Sequence, residues 1–368
     1  MTRLVVFAIG AALLGVACDE KKTSSDTPRT DAGAEKYASA DPKLEKALQA
    51  AASSSAGNDN GPPPTGIFGP GRADQRHARG VPTKVDMVSD GAEPRVSLAP
   101  TANAQADAAR TSSYGPAQLE LVLQAGRNAF AVDYAMILGP AKKDDGGADW
   151  LVGTIKRAAP SKALGQVAPG QEKEVATLEG SELRLQWTPS GQVSDVQARL
   201  GKTSEAELDR FARGAAEALA LATVPPPSKP VGVGAQWIAE TRMPLSGLDV
   251  VAYRAYRVKS IDGDRLHLTL DVKAYAASKD VQIPGVPKGA TLEQFDAQGQ
   301  GELEVVRGEA LARKFDLQER QMLVFSGPGG AQPPAQPGQP PGNLIPVQIQ
   351  SQATLVRGED LRAASRQP

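Results

Sequence analysis

Hydrophobic and polar positions alternate with a period of two over much of the chain beyond residue 113. Residues 117–124 and 128–138 are apolar-rich runs joined at Ala125-Gly126-Arg127, a spacing that predicts a hairpin. Residues 150–157 predict a further strand. In Glu182-Leu183-Arg184-Leu185-Gln186-Trp187 the alternation is strict; the chain turns at Pro189-Ser190-Gly191 and returns through Val193, Val196 and Leu200. Strands follow over about 235–243, 249–260 and 266–272, the last two joined by the tight turn Asp262-Gly263-Asp264. Three more are expected near 298–307, 311–325 and 345–357. In the middle one Leu311, Phe315 and Leu317 share a face opposite Ala312, Lys314, Asp316, Gln318 and Arg320, as a sheet wet on one side requires.

One stretch keeps a helical period instead. Ser204 with Glu207 forms a capping box, and the pattern runs to about Ala222, before Pro225-Pro226-Pro227 stops it. Leu208, Phe211, Ala215, Leu219 and Ala222 fall on one face. Gly214, Ala215 and Ala218 keep that region narrow, which means either close helix–sheet contact or room for a ligand. Leu208, Phe211, Ala215 and Leu219 are therefore the candidate ligand-binding residues, facing an apolar space between helix and sheet. Strands before and after a single long helix, with hairpin-length links, argue against alternating β-α units. The expected fold class is mainly β, an antiparallel sheet packed on one long α-helix. A half-barrel, a sandwich and a plain sheet-plus-helix all satisfy this pattern.

The first third of the chain reads differently. From Asp19 to about Arg110 it is rich in Ala, Ser, Asp, Pro and Gly, and its only aromatics are Tyr37 and Phe68. So little large apolar area does not offset an ordering cost of ~1–2 kcal/mol per residue, so residues 18–112 are expected to be a disordered tether. A short helix over 41–52 is the local exception, with Asp41 as N-cap, Pro42 at the first helical position and Leu44 and Leu48 four apart. In 61–71, three prolines precede the apolar pair Ile67-Phe68; the segment is either plain linker or a docking peptide for a partner or the protein's own body. Residues 81–98, with Val85, Met87, Val88, Val96 and Leu98, either begin the folded region or add an edge strand to it. The folded domain is expected over 113–360, interrupted at 327–342 by a disordered Pro/Gly loop.

At the N-terminus, Arg3 precedes an uncharged stretch from Leu4 to Ala17 that ends in small residues. Fourteen residues make only ~21 Å of helix, short of a hydrocarbon core of ~30 Å, so residues 1–17 fit a secretory signal peptide and not a permanent span. Leu14-Gly15-Val16-Ala17-Cys18 resembles the lipobox of bacterial lipoproteins. In that family the chain is cut between the residues matching Ala17 and Cys18, and the cysteine carries lipid. Ala17 matches the required small residue; Gly15 departs from the usual Leu, which lies one place earlier. The resemblance implies a membrane partner reached through acyl chains on Cys18 and a cell-envelope location, at the outer or inner membrane and facing periplasm or surface. Acyl burial at ~0.8 kcal/mol per CH₂ suffices to hold such a chain.

Composition removes several classes of chemistry. With 41 basic and 42 acidic side chains the formal charge is −1, which excludes the positive field that nucleic-acid binding needs. A single Cys and two His rule out a Cys-built zinc cage and His-rich metal sites, and no cofactor motif is present. His77 lies in the tether and His267 in mid-strand, and no Gly-x-Ser-x-Gly elbow accompanies them. Lys142-Lys143-Asp144-Asp145 lacks the spacing of a calcium loop. Carboxylates are plentiful but nothing selects a pair. The body is similar to the half-barrels of periplasmic lipoprotein-carrier and lipid-binding lipoproteins in one segment, 231–272: a Gly-x-Gly-x-x-Trp run, a strand with Tyr253 and Tyr256, and the Asp-Gly turn. That resemblance implies a non-catalytic protein binding an apolar or amphipathic ligand, such as a lipid, or an envelope protein partner. The alternative is a structural or assembly subunit of an envelope complex, and a hydrolase ranks third.

Overall fold

A computed structural model describes residues 46–48, 50, 63–99, 117–125, 128–140, 150–160, 170–188, 192–201, 206–279, 281, 289–309, 311–327 and 344–356. All of them fall in one compact unit spanning Ser39–Pro368. The signal peptide, Ala17, Cys18, the capping-box Ser204 and nearly all of the 327–342 loop lie outside these residues.

Alternation of apolar and polar side chains builds one 12-stranded antiparallel sheet. In chain order the strands are β1 (Lys84–Ser89), β2 (Ala117–Ala125), β3 (Asn128–Pro140), β4 (Trp150–Pro160), β5 (Glu182–Trp187), β6 (Val193–Arg199), β7 (Gln236–Leu245), β8 (Leu248–Asp262), β9 (Arg265–Ala276), β10 (Thr291–Val306), β11 (Lys314–Ser326) and β12 (Leu344–Val356). Their spatial order is β1-β7-β8-β9-β10-β11-β12-β2-β3-β4-β5-β6. Two meanders, β2 to β6 and β7 to β12, are thus fused by the pairing of β12 with β2. The link from β6 to β7 carries helix α3 (Ala206–Leu221); α1 (Arg72–Arg76) and α2 (Gln171–Val175) are single turns.

The sheet curls until its ends approach, without a backbone ladder to close it. The Thr83 hydroxyl, just before β1, donates to the carbonyl of Val193 in β6 at 3.2 Å and lies 3.0 Å from the Thr241 hydroxyl of β7. In β10 two inward positions, Gly299 and Gly301, are glycine. A Cβ on Gly301 would lie 2.3 Å from the Asp316 carbonyl oxygen of β11, so only glycine lets the strands approach this closely. Gly301→Ala is expected to lower the unfolding free energy by about 1–3 kcal/mol in urea titration. Gly69→Ala, whose Cβ would meet nothing closer than 3.6 Å, should cost far less.

One hydrophobic core joins the inward faces of β3 to β12 with α3. The expectation of a sheet packed on one long helix is corrected. At 16 residues α3 is of ordinary length, is accompanied by shorter helical turns, and packs chiefly on β2, β5, β6 and β7. About 24 Å of helix does not reach across twelve curled strands, whose inward faces mostly pack on one another.

The expected tether is also shorter than its composition suggested. Residues 63–99 belong to the body. The Phe295 amide donates to the Thr65 carbonyl and the Phe68 amide to that of Ala276, each at 2.9 Å, and Ile67 pairs with Ala276 in a parallel bridge. Gly66 has φ +74° and sits against the Phe295 carbonyl, where no Cβ fits. Of the two readings of 61–71, the structure supports docking, on the protein's own sheet. Phe68 packs edge-on against Tyr275 in a second apolar cluster on the outer face of β7 to β9, with Leu48 from a helical turn at 46–48, Ile238, Val251 and Tyr253. Ion pairs reinforce the strap. Arg76 pairs with Glu240 at 3.1 Å, Arg242 bridges Asp74 and Asp249, and Arg79 also reaches Asp249. Composition missed the segment because backbone bonds from a Gly-rich run supply what few side chains do not. The apolar residues of 81–98 do add an edge strand, β1, beside β7.

Candidate functional site

The apolar stripe of α3 faces the core. Leu208 and Phe211 are 9% and 7% exposed, and Ala215 and Leu219 are wholly buried. Small side chains there serve close packing, and none of the four lines either concavity described below. The neighbouring face of the helix does line one. Arg213, Ala216 and Glu217, at helical spacings of three and four, border a cleft of about 580 Å³ between α3, the free edge of β6 and the far ends of β7 and β8. This cleft lies at the open seam of the sheet.

Glu217 is the unusual residue of the cleft. It is 5% exposed, yet only one of its oxygens is engaged. Its Oε2 accepts the Ser246 amide at 2.8 Å. Ser246 and Gly247 form the β7–β8 turn, and both have positive φ, 52° and 82°, which aims their amides at the carboxyl. Its Oε1 has no hydrogen-bond partner. Burial pushes its pKa up to about 7, against the opposing pull of the two turn amides and of Arg213.

A second acid stands near it. Glu319 of β11 is on the inward face with Phe315, Leu317 and Leu323, opposite Gly299 of β10 and Ser351 of β12. The Ser351 hydroxyl donates to its Oε2 at 3.4 Å. Burial, and then the charge of Glu217, raise its pKa to about 7 as well. Inward-facing Glu319, Ser351, Ile349 and Val347 retain partial exposure, so accessible space reaches this part of the sheet. One pleat along, Gln321 is 1% exposed and neither amide atom has a partner.

The end of α3 is fixed to the same wall. Arg254 of β8, 1% exposed, points inward and donates from Nη1 to the carbonyls of Ala220 (3.2 Å) and Thr223 (3.1 Å), and from Nη2 to the Thr241 hydroxyl (2.9 Å). A cation here meets the negative end of the helix. The Tyr256 hydroxyl donates to the Thr223 carbonyl and Trp237 Nε1 to that of Pro225, each at 3.1 Å, with the two rings stacked 5.2 Å apart. Trp237 and Tyr256 thus hold the segment that leaves the helix.

The arginines bordering the cleft are engaged: Arg242 with Asp74 and Asp249, Arg79 with Asp249, Arg213 with Asp209. A broader groove of about 720 Å³ crosses the outer face of β8 to β11 and is lined by charged side chains, including the ion pair Lys259–Glu302 at 2.8 Å. Among the described residues no group of three or more His, Cys, Asp or Glu is placed to hold a metal ion. His77, placed in the tether by the sequence reading, is buried at the end of α1.

Sequence reading missed Glu217, Glu319, Gln321 and Arg254, though each left a signal. Glu217 is the lone charge between Gly214 and Ala222, and Arg254 the lone charge between Val250 and Tyr256. Glu319 and Gln321 carry the odd-numbered parity of Phe315 and Leu317, a face that should be apolar throughout.

No protein-family model matches the chain, and no curated protein matches it. Among solved structures, a protein of unknown function from the DUF3598 family of Nostoc punctiforme PCC 73102 aligns with 67% of this chain and 97% of its own, at 9% identity and a TM-score of 0.09. A likeness that low carries no argument about fold or function.

Proposed function

We propose that this is a lipid-anchored cell-envelope protein, tethered through Cys18, whose body binds an amphipathic ligand in the cleft between α3 and the open seam of the sheet. The role is binding and not catalysis. The observation that carries it is Glu217: a buried acid with one oxygen unpartnered, bordering a cleft of about 580 Å³. Apolar walls with a few convergent polar groups are the usual make-up of a small-molecule site. This cleft is more polar than that: Val196, Ala216, Met243 and Leu248 line it together with the acid and the charged Arg79, Arg213, Arg242 and Asp249, a mixed surface that suits an amphipathic ligand. The half-barrel resemblance supports the same reading, since the sheet curls and stays open along one seam. The site lies one helical face away from Leu208, Phe211, Ala215 and Leu219, which hold the helix in place.

Native mass spectrometry of the detergent-extracted protein tests this. The wild-type chain is expected to carry diacylglycerol-type lipid on Cys18 and a separable, non-covalent small molecule. Cys18→Ser should remove the covalent lipid and release the chain from the membrane fraction. Ala198→Trp, which fills the cleft from β6, should remove the non-covalent molecule alone. A chain that stays in the membrane as Cys18→Ser contradicts the anchor. Wild-type protein that carries nothing in the cleft, or a ligand untouched by Ala198→Trp, contradicts the binding site.

A further inference from the structure

We propose that the strap segment 72–80 is an acid-released wall of the cleft, with the His77 imidazole as its latch; that this wall belongs to a ligand site rests on the reading above. Arg79 and Gly80 border the cleft, and so do Arg242 and Asp249, which hold the segment down. His77 closes α1. Its amide donates to the Ala73 carbonyl at 2.8 Å, and its own carbonyl accepts Arg242 Nη1 at 3.2 Å. The residue is 4% exposed. One ring nitrogen is bonded to the Val81 backbone, and among the described residues Nε2 has no hydrogen-bond partner. Nε2 is therefore the atom that takes a proton in acid, and it faces no acceptor.

The charges around the ring oppose that proton. The nearby carboxylates are already engaged: Asp74 and Asp249 with Arg242, Asp249 also with Arg79, Glu240 with Arg76, and Asp86 of β1 with Lys84. Tyr253 of β8 lies under the Arg76 guanidinium, its ring centre 5.3 Å away. Across the cleft, Asp195 of β6 accepts from Gln197, Arg213 pairs with Asp209, and Glu217 bonds to the β7–β8 turn and not to the strap. Burial, and then Arg242, Lys84 and Arg76, hold the His77 pKa below the ordinary 6.5. In the released segment the ring titrates near 6.5, so above that pH both states are neutral and the latch holds in full. Below it, each pH unit favours release by up to about tenfold, until the buried ring also takes the proton. Glu240 works the other way: burial raises its pKa, so acid favours its folded form.

The test is hydrogen exchange of the full-length chain in nanodiscs at about pH 7.5 and 5.0, with rates corrected for the intrinsic effect of pH. Peptides covering 72–80 are expected to exchange at least about fivefold faster at the lower pH, and peptides covering 265–272 to stay unchanged. His77→Gln, neutral at every pH, should keep the slow rate throughout. His77→Lys should show the fast rate already at the higher pH, and Glu240→Gln should keep or enlarge the step. Native mass spectrometry should show the non-covalent molecule leaving the wild-type chain in acid and staying on His77→Gln. Equal wild-type rates at the two pH values, or a step that survives His77→Gln, overturns the latch. A molecule retained in acid while 72–80 opens overturns the wall. A cleft empty at both pH values contradicts the binding reading alone, and exchange still decides the latch.

Discussion

Replacing Arg254 with alanine is expected to cost about 3–5 kcal/mol of stability, the largest single-residue effect in the body. The loss has two parts. The helix-terminal carbonyls of Ala220 and Thr223 and the hydroxyl of Thr241 lose a charged donor. A long side chain also vanishes from a position that is 1% exposed, leaving a cavity that the stacked Trp237 and Tyr256 are too rigidly held to fill. Arg254→Lys should recover part of this, because an ammonium reaches one acceptor where the guanidinium fork reaches three. Urea unfolding measures both. A loss below about 1 kcal/mol for Arg254→Ala would show that α3 is held by packing alone.

Glu217→Gln is expected to stabilise the protein at pH 8 and leave it unchanged at pH 4. The folded-state pKa of Glu217, about 7, lies above the ordinary value of 4.5. Below 4.5 the carboxyl is protonated folded and unfolded, so it contributes no difference. As pH rises from 4.5 towards 7, the unfolded chain gives up the proton first and stability falls. Above 7 the full penalty of burying a charge is present, about 3 kcal/mol at 1.36 kcal/mol per unit. Glutamine removes the charge and keeps an acceptor for the Ser246 amide. The melting temperature of the variant should therefore exceed that of wild type at pH 8, and the two should converge at pH 4. Parallel curves across the range would mean that Glu217 titrates as an exposed glutamate does.

Most strands were legible because period-two alternation survives wherever one face is buried. β5, β6 and β8 fall within a residue or two of where alternation placed them. β10 reaches further upstream than the expected start near 298, to Thr291, and passes through an irregularity between Leu292 and Gln294. Sheet order was beyond local reading. Nothing within residues 117–125 indicates that they pair with 349–356, more than two hundred residues on, since register across fused meanders is set by long-range packing. The strap at 63–83 escaped for another reason: its attachment is largely backbone bonding and dispersed ion pairs, which composition does not register. The helix was found, and its apolar stripe does face inward, but the stripe is core. The buried polar residues were visible as breaks in the apolar pattern, and only the fold brings Glu319 within electrostatic reach of Glu217.

Glu217 of α3 and Glu319 of the curled sheet form an electrostatically coupled pair of acids. Carboxyl-selective ¹³C NMR of glutamate-labelled protein, titrated from pH 4 to pH 9, tests it most directly when wild type is compared with Glu217→Gln and Glu319→Gln. Two resonances titrating near pH 7 are expected, each abolished by its own substitution. The Glu319 midpoint should fall when Glu217 is replaced, because a repelling charge is gone. Two resonances titrating near the ordinary 4.5, each indifferent to replacement of the other, would contradict it.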